Sequence, residues 1–302
     1  MIEVISSGYF TTIQDSGRKT HRHLGVPISG PMDLNSFYLA NLLLPGLDSD
    51  SVFECTIIGP KLKLRCNSRF VITGAKFDSY LDNEPLENNK VYSFRVGQIL
   101  KVGRVKAGLR CYLKFEGTFN IPKILNSKSF YYPITKSKSV KDGEKYNFIS
   151  KTQDINSKII NLKISENSFS KKTLFVRPGP DWRLITGEIK KQILSEIFSI
   201  KSQNRMGYRL SSELKNDFFN LSSKVVIPGI VQFTPGGEII IATADCQVTG
   251  GYLQILILTD DSLSNLVQKP EGSKVKFRLF DNWFNNQVKI FKIFFNHLKE
   301  LG

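Results

Sequence analysis

The chain has 302 residues, a formal net charge of +15 and 41% hydrophobic residues, which suffices for two domains that each bury a core. Its four cysteines are scattered without a C-x-x-C pair, no basic and apolar leader opens the chain, and the longest apolar runs fall short of the roughly 20 residues that span a bilayer. We therefore expect a reduced, cytoplasmic protein that does not enter a membrane.

Short apolar or alternating runs, separated by glycine and proline, predict a mainly β chain with few helices. Short strands with such punctuation are typical of barrels. In chain order the predicted strands cover residues 2–5, 61–66, 70–73, 91–94, 110–115, 159–164, 173–176, 238–243, 252–259 and 274–280.

Helical spacing of apolar residues predicts a smaller number of helices. Asp33 is expected to cap a helix that runs to about residue 44, and a second helix covers residues 189–197. The pair Asp260 and Asp261 is expected to cap a short third helix. An aromatic run that begins at residue 281 also has helical spacing, and we interpret it as a core or docking face and not as a ligand site.

The positive charge first suggests a nucleic-acid partner, because a basic surface attracts phosphate backbones. Its distribution argues against that partner. Basic residues alternate with apolar ones in residues 61–65 and 274–279, which places them on the solvated face of a half-buried sheet. We expect no nucleic acid to bind; an anionic substrate or an acidic protein would use the charge equally well.

Two segments in the second half combine glycine with charged and aromatic side chains. They are Asn-Arg-Met-Gly-Tyr-Arg-Leu at residues 204–210 and Thr-Gly-Gly-Tyr at residues 249–252. Glycine permits a positive φ or the close approach of a ligand, and the donors and phenolic faces suit a small planar or anionic ligand. We interpret the two segments as one wall of a binding site.

The opposite wall is expected near the N-terminus. Residues 12–18 (Thr-Ile-Gln-Asp-Ser-Gly-Arg) and 26–33 (Val-Pro-Ile-Ser-Gly-Pro-Met-Asp) again set amide, carboxylate, hydroxyl and guanidinium groups around glycine and proline. Each segment alone is also typical of an ordinary surface turn.

Taken in order, these motifs resemble one family, which contains the C subunit of bacterial 5-oxoprolinase, the KipA proteins and the carboxyltransferase part of urea amidolyase. The resemblance implies two cyclophilin-like β-barrel domains in tandem, expected at residues 1–165 and 166–302, with the ligand in the cleft between them. The motifs that carry it are residues 14–18, 27–33, 40–41, 54–56, 59–60, 73–75, 205–210 and 245–252.

Two segments depart from the family pattern. Residues 116–118 are Glu-Gly-Thr, where relatives tend to have a Gly-Gly pair. Residues 126–129 are Asn-Ser-Lys-Ser, where the family pattern has Gly-Ser-Arg-Ser. Lysine keeps the charge but lacks the planar fork that binds an anion through two hydrogen bonds. A bidentate ligand contact at this position is therefore not expected in this chain.

The same resemblance, with the chemistry of the side chains, supplies the candidate site. Lactam opening builds charge on a carbonyl oxygen, which cationic groups and amides stabilise, although an aspartate beside an arginine equally suits an ion pair that fixes a loop. The candidate catalytic residues are Asp15, Arg18, Arg205, Tyr208, Arg209 and Asp245. The candidate substrate-binding residues are Gln14, Ser29, Asp33, Asn41, Gln232, Gln247, Thr249, Gly250, Gly251 and Tyr252.

No metal is expected, because the sequence has no H-E-x-x-H motif and its closely spaced His21 and His23 fall in an irregular loop. The resemblance implies the C subunit of an ATP-dependent 5-oxoprolinase, which converts 5-oxo-L-proline to L-glutamate with the A and B subunits, one of them KipI-like. No nucleotide motif is present, so ATP is expected on the partner subunits and the chain alone is expected to be inactive.

Two alternatives stay open. One is a biotin-dependent carboxyltransferase, as in urea carboxylase, with the cleft receiving carboxybiotin. The other is a binder without catalytic activity that antagonises a KipI-type kinase inhibitor.

Overall fold

The computed structural model describes residues 1–45, 50–149, 169–212, 214 and 222–280. Strands dominate these ranges and form a nine-stranded sheet before residue 150 and a closed seven-stranded barrel after residue 168, so the mainly β prediction is confirmed. The expected domain boundary at residue 165, the strand at 159–164 and the aromatic run from residue 281 lie outside the described residues.

The first unit is a curled sheet in which β8 is central. Its sheet order is β10-β1-β4-β8-β3-β2, while the long β5 runs beside β8 and also pairs with β6 and β7; β9 and β11 pair separately. The strands are β1 (Ile2–Ser6), β2 (Phe10–Gln14), β3 (Val52–Thr56), β4 (Lys61–Leu64), β5 (Ser68–Leu81), β6 (Glu84–Pro85), β7 (Val91–Phe94), β8 (Ile99–Phe115), β9 (Thr118–Phe119), β10 (Lys145–Tyr146) and β11 (Phe148–Ile149).

Helix α1 (Leu34–Leu43) covers one face of this sheet. Its buried Phe37 and Ala40 pack against Val71 and Tyr112 of the sheet, while the opposite face holds a phenylalanine-rich core. The predicted cap is confirmed, because the carboxylate of Asp33 accepts a hydrogen bond from the third residue of the helix.

The second unit is a barrel in the order β12-β19-β16-β17-β14-β13-β20, closed by the parallel pair β12 and β20. The short strands β15 and β18 pair beside it. The strands are β12 (Thr173–Pro178), β13 (Phe198–Gln203), β14 (Gly207–Leu210), β15 (Lys224–Val225), β16 (Ile230–Phe233), β17 (Ile239–Ala242), β18 (Thr249–Gly250), β19 (Leu253–Leu258) and β20 (Lys274–Leu279).

Two helices accompany the barrel, and both differ in detail from prediction. Helix α2 (Gly187–Ser195) ends before Ile197, because the chain turns there into β13. Helix α3 (Asp260–Leu266) is capped by Thr259, whose hydroxyl accepts a hydrogen bond from the amide of residue 262. The two aspartates expected as caps lie in the first turn of α3, where negative charge favours the helix dipole.

The two units share a packed interface. Met32, from the loop before α1, is 2% exposed and belongs to the core cluster of the barrel, while Asn35 of α1 donates a 3.0 Å hydrogen bond to Asp261 of α3. Within the described ranges, no helix is long and apolar enough to cross a membrane.

Candidate functional site

Arg205 occupies the centre of the interface between the sheet and the barrel. It follows β13 and is 9% exposed. Its Nε and Nη2 lie 2.7 Å and 3.1 Å from the two carboxylate oxygens of Asp245, and Nη2 also donates at 2.6 Å to the carbonyl of Gly30. Its Nη1 donates to Glu54 of the sheet. Burial alone would lower the pKa of Arg205, but Asp245 and Glu54 outweigh burial and raise it.

Glu54 is held by groups of its own domain. Its second carboxylate oxygen accepts from the amide of Met32 at 2.7 Å and from the hydroxyl of Tyr112 at 2.9 Å. That hydroxyl in turn accepts from the amide of Asp33 at 2.7 Å. The motif at residues 26–33 is thereby tied both to the sheet and to Arg205.

Gln268, which follows α3, forms a second link between the domains. Its Nε2 donates to the carboxylate of Asp33 at 2.7 Å, and its Oε1 accepts from the amides of Leu109 and Arg110 at 3.0 Å and 2.9 Å. Burial raises the pKa of Asp33, and the hydrogen bonds from Gln268 and the first turn of α1 oppose that shift. Asp33 therefore serves as helix cap and domain contact.

Arg110 carries the link to Tyr208. Its Nη1 donates to the tyrosine hydroxyl at 3.0 Å, and that hydroxyl donates to the carbonyl of Val267 at 3.2 Å. Tyr208 is fully buried in the barrel core, so its ring packs against protein side chains and does not face a cleft.

Asp15 organises the loop after β2. Its carboxylate accepts from the hydroxyls of Ser127 and Ser129 at 2.5 Å and 2.7 Å, and from the amides of Lys128 and Gly17 at 2.6 Å and 3.0 Å. Burial tends to raise the pKa of Asp15, but these hydrogen bonds together outweigh burial and lower it. Asp15 is therefore an anion whose acceptor sites are occupied, which suits a structural role better than a free general base.

Arg18 lies beside this loop and keeps one donor unused. It is 1% exposed, and its Nε and Nη2 donate to the carbonyls of Ile124 and Ser129 at 3.2 Å and 2.5 Å. Its Nη1 is buried and finds no hydrogen-bond partner in the described part of the chain. Burial lowers the pKa of Arg18, and the charges of Asp15 and Asp245 oppose that shift.

Further contacts bring the N-terminal motifs against the barrel. The amide of Ser29 donates to the carbonyl of Ala244 at 3.1 Å, and Arg22 donates to the carbonyls of Val226 and Val248. Ser29 has a φ of 59°, and its buried hydroxyl lacks a partner among the described residues. The two motif sets therefore meet at one interface.

Gly250 lies where the side chains of two glutamines converge. A Cβ at this position would lie 2.5 Å from Nε2 of Gln247 and 3.1 Å from Nε2 of Gln232. The amide nitrogen of Gln232 is buried and has no partner in the described ranges. The absence of a side chain at Gly250 thus leaves room for two amide groups beside the paired strands β15 and β18.

The structure separates the predicted site residues into groups. Arg209 is half exposed and pairs with Glu238 on the outside of the barrel, and Asn41 bonds backbone carbonyls around α1. Thr249, Gly251 and Tyr252 are exposed beside Gly250. Ser29, Asp33 and Arg205 bond across the interface, and Asp245 is bonded to Arg205. Gln14, Asp15 and Arg18 form their hydrogen bonds within the first unit, and Gln232 and Gln247 lie beside Gly250 in the second.

Several residues of this interface escape prediction from the sequence. Glu54 belongs to a family motif, but its position inside a strand does not by itself indicate a role at an interface. Tyr112 and Gln268 belong to no recognisable local motif. Ser127 and Ser129 stand out in the sequence only through the lysine between them. For Glu54 and Tyr112, the signal that could have found them is polar character at positions whose neighbours in the strand are apolar; Ser127, Ser129 and Gln268 lie outside the strands and carry no such signal.

Both units keep buried polar atoms that have no hydrogen-bond partner among the described residues. They are Arg18 Nη1 and Ser29 Oγ in the first unit and Gln232 Nε2 in the second, whereas Asp15 and Arg205 are bonded to protein groups. Among the described residues, no cluster of His, Cys, Asp and Glu could hold a metal ion.

Comparison with known proteins gives consistent matches. The family model for the carboxyltransferase domain, subdomain A and B, matches residues 24–279. The chain is 30% identical over 282 residues to the 5-oxoprolinase C subunit of Haemophilus influenzae and 26% identical over 285 residues to that of Escherichia coli, covering 92% of this chain and 90% of each relative. Its fold is similar to that of Kluyveromyces lactis urea carboxylase, with a TM-score of 0.79 and 24% identity over 93% of this chain and 27% of that one.

Proposed function

Because the chain belongs to the carboxyltransferase domain family, subdomain A and B, we propose that it is the C subunit of an ATP-dependent 5-oxoprolinase. The observation that carries the proposal is the extent of the similarity, since the alignments cover 90% of both bacterial C subunits. By contrast, the chain covers only 16% of the yeast urea amidolyase it resembles. The A and B subunits, one of them KipI-like, complete the enzyme in the cytoplasm.

In this function the interface binds 5-oxo-L-proline. Arg18 Nη1 and Gln232 Nε2 are buried donors without partners among the described residues, and such donors are suited to a substrate carboxylate or to the charge that develops on the lactam oxygen. Asp15 acts by holding the loop that positions Arg18. Arg205 and Asp245 act by fixing the relative positions of the two domains.

ATP belongs to the partner subunits, because the sequence has no nucleotide-binding motif. Overall, one water opens the lactam C–N bond to give L-glutamate, and a second accounts for hydrolysis of ATP to ADP and phosphate. The lone chain is therefore inactive.

A biotin-dependent carboxyltransferase is the second candidate, favoured by the family match and by the fold shared with urea carboxylase. In that function the same donors would face carboxybiotin. A KipA-type binder of a KipI-like protein would need the partner surface but not the buried donors.

Reconstitution distinguishes these candidates. The purified chain is assayed for ATP-dependent glutamate formation alone and with the A and B subunits of a bacterial 5-oxoprolinase, and separately for carboxyl transfer from carboxybiotin. We expect glutamate only in the complete mixture. Turnover by the lone chain would reject inactivity in isolation, carboxyl transfer without glutamate formation would favour the biotin function, and binding of the partners with neither activity would favour the KipA-type role.

A further inference from the structure

A cavity of about 290 Å³ lies beside the interface and takes its walls from both domains. Gly108 of β8 lines it from the sheet, and residues 268–270 and 273–274 line it from the barrel. None of residues 14–33 or 245–252 lines it, so it is separate from the donors proposed to bind 5-oxoproline.

Lys269 is the buried cation of this cavity. It is 4% exposed, and its ammonium donates one hydrogen bond, at 2.9 Å, to the carbonyl of Phe169. An ammonium group has three donors, and no carboxylate pairs with Lys269 in the described part of the chain. Burial lowers the pKa of Lys269. A buried ammonium with one neutral acceptor is costly unless an anion accompanies it.

Two more lysines line the cavity, and their side chains are exposed. They are Lys172, just before β12, and Lys274, at the start of β20. Ser170, Ser273 and Gln268 add polar groups to the wall, while Asp and Glu are absent from the described lining. Glu271 is the nearest carboxylate in sequence, but it does not line the cavity. The lining therefore has a positive charge concentrated around one small volume.

We propose that this cavity binds a small, multiply charged oxyanion such as phosphate. Lysine ammonium groups bind phosphate as point charges, and three lysines line the cavity. Its volume of about 290 Å³ is just below the roughly 300 to 1,000 Å³ typical of small-molecule pockets, which suits a phosphate group better than a whole nucleotide. Free phosphate and the terminal phosphate of a nucleotide share this chemistry.

Binding here would act on the domain contact. Gln268 lines the cavity and also bonds Asp33 and the backbone of Arg110. An anion held by Lys269 would therefore reinforce the segment that joins the barrel to the sheet. Phosphate binding in this cavity does not require the reaction proposed above.

Calorimetric titration of the full chain with inorganic phosphate tests the site. We expect binding that weakens by about tenfold or more in Lys269→Met and in Lys274→Ala, since each removes a charge-assisted contact. Lys276→Ala is the matched control, because Lys276 is exposed on the same strand and does not line the cavity; it should bind like the parent. Lys274→Ala also keeps the test valid if Lys269→Met fails to fold.

A second titration with ATP separates the two sources. Weaker binding of ATP than of phosphate supports a free anion, whereas tighter binding with the same dependence on Lys269 and Lys274 supports a nucleotide phosphate reaching the cavity from outside. Absence of phosphate binding at millimolar concentration, or affinity unchanged in both lining variants, would overturn the proposal.

Discussion

Glu54 and Arg205 form an ion pair across the domain interface, and Asp245 holds the other edge of the same guanidinium. Every nitrogen of that guanidinium is bonded to a protein acceptor. Arg205, the first arginine of residues 204–210, therefore fixes the two domains relative to each other. Arg18, by contrast, keeps a donor without a partner among the described residues.

Arg205→Ala should destabilise the protein strongly, because it leaves Glu54 and Asp245 buried without their cation. Removal of one partner from a buried pair costs about 3 to 5 kcal/mol. Arg209→Ala is the matched control, since its pair with Glu238 is exposed and such pairs contribute about 0 to 1 kcal/mol. Urea denaturation of both variants measures the free energies of unfolding; equal losses would contradict the structural role of Arg205.

Asp15→Asn should remove stability that depends on pH. The pKa of Asp15 is lowered in the folded state, so its stabilising contribution is present above the pKa of an unfolded aspartate, about 3.9, and is lost as the pH falls through the folded pKa. The difference in free energy of unfolding between parent and variant should be largest near neutral pH and should shrink below about pH 4. Ser127→Ala should reproduce part of this effect. A difference in free energy of unfolding between parent and Asp15→Asn that does not change with pH would contradict a lowered pKa of Asp15 in the folded state.

Lys114→Met should change stability on the alkaline side. Burial lowers the pKa of Lys114 to about 8, with the charge of Asp50 opposing the shift. The folded state then releases its proton more readily than the unfolded state, whose lysine pKa is about 10.4, so this group makes stability rise with pH between these two values. The variant should lose that rise in denaturation experiments across this range.

Lys106→Met is the control for this titration. Lys106 lies on the same strand but is exposed and pairs with Asp78, which raises its pKa. Its contribution has the opposite sign, since it is lost as the pH rises. Loss of the alkaline rise in both variants would show that Lys114 is not its source.

The sequence predicts the strands well where they alternate or are continuously apolar, because that pattern follows directly from burial on one or both faces. Residues 91–94 and 274–279 are examples. The prediction from sequence fails at β14, where glycine, tyrosine and arginine suggested the wall of a ligand site. In the structure Tyr208 faces the core and Arg209 faces solvent. This alternation is that of an ordinary strand.

The sequence predicts only part of the site, because some of its residues come together only in the folded protein. Asp15, Ser29 and Asp245 stand in turns whose polar groups are visible in the sequence. Glu54 and Gln268 become part of the interface only because the barrel docks on the sheet, which brings together residues far apart in the chain. No local spacing encodes that contact, so the bonds of Gln268 to Asp33 and Arg110 could not be predicted from the chain alone.

Gly250→Ala should impair substrate binding with little effect on folding. The new methyl group would crowd the amide ends of Gln247 and Gln232, at 2.5 Å and 3.1 Å, and these flexible ends can move aside. Displacement of Gln232 Nε2 removes a buried donor proposed to contact 5-oxoproline, so glutamate formation by the reconstituted enzyme should fall by about tenfold or more.

Gly236→Ala provides the comparison for this variant. Gly236 lies in the turn between β16 and β17, and the nearest atom to an added Cβ is 3.9 Å away, so this variant should keep the parent activity. Thermal unfolding of both variants shows whether the fold is intact. If Gly250→Ala melts like the parent and retains full activity in the reconstituted enzyme, Gln232 does not contact the substrate, and the binding site must use the donors near Arg18 without the barrel amides.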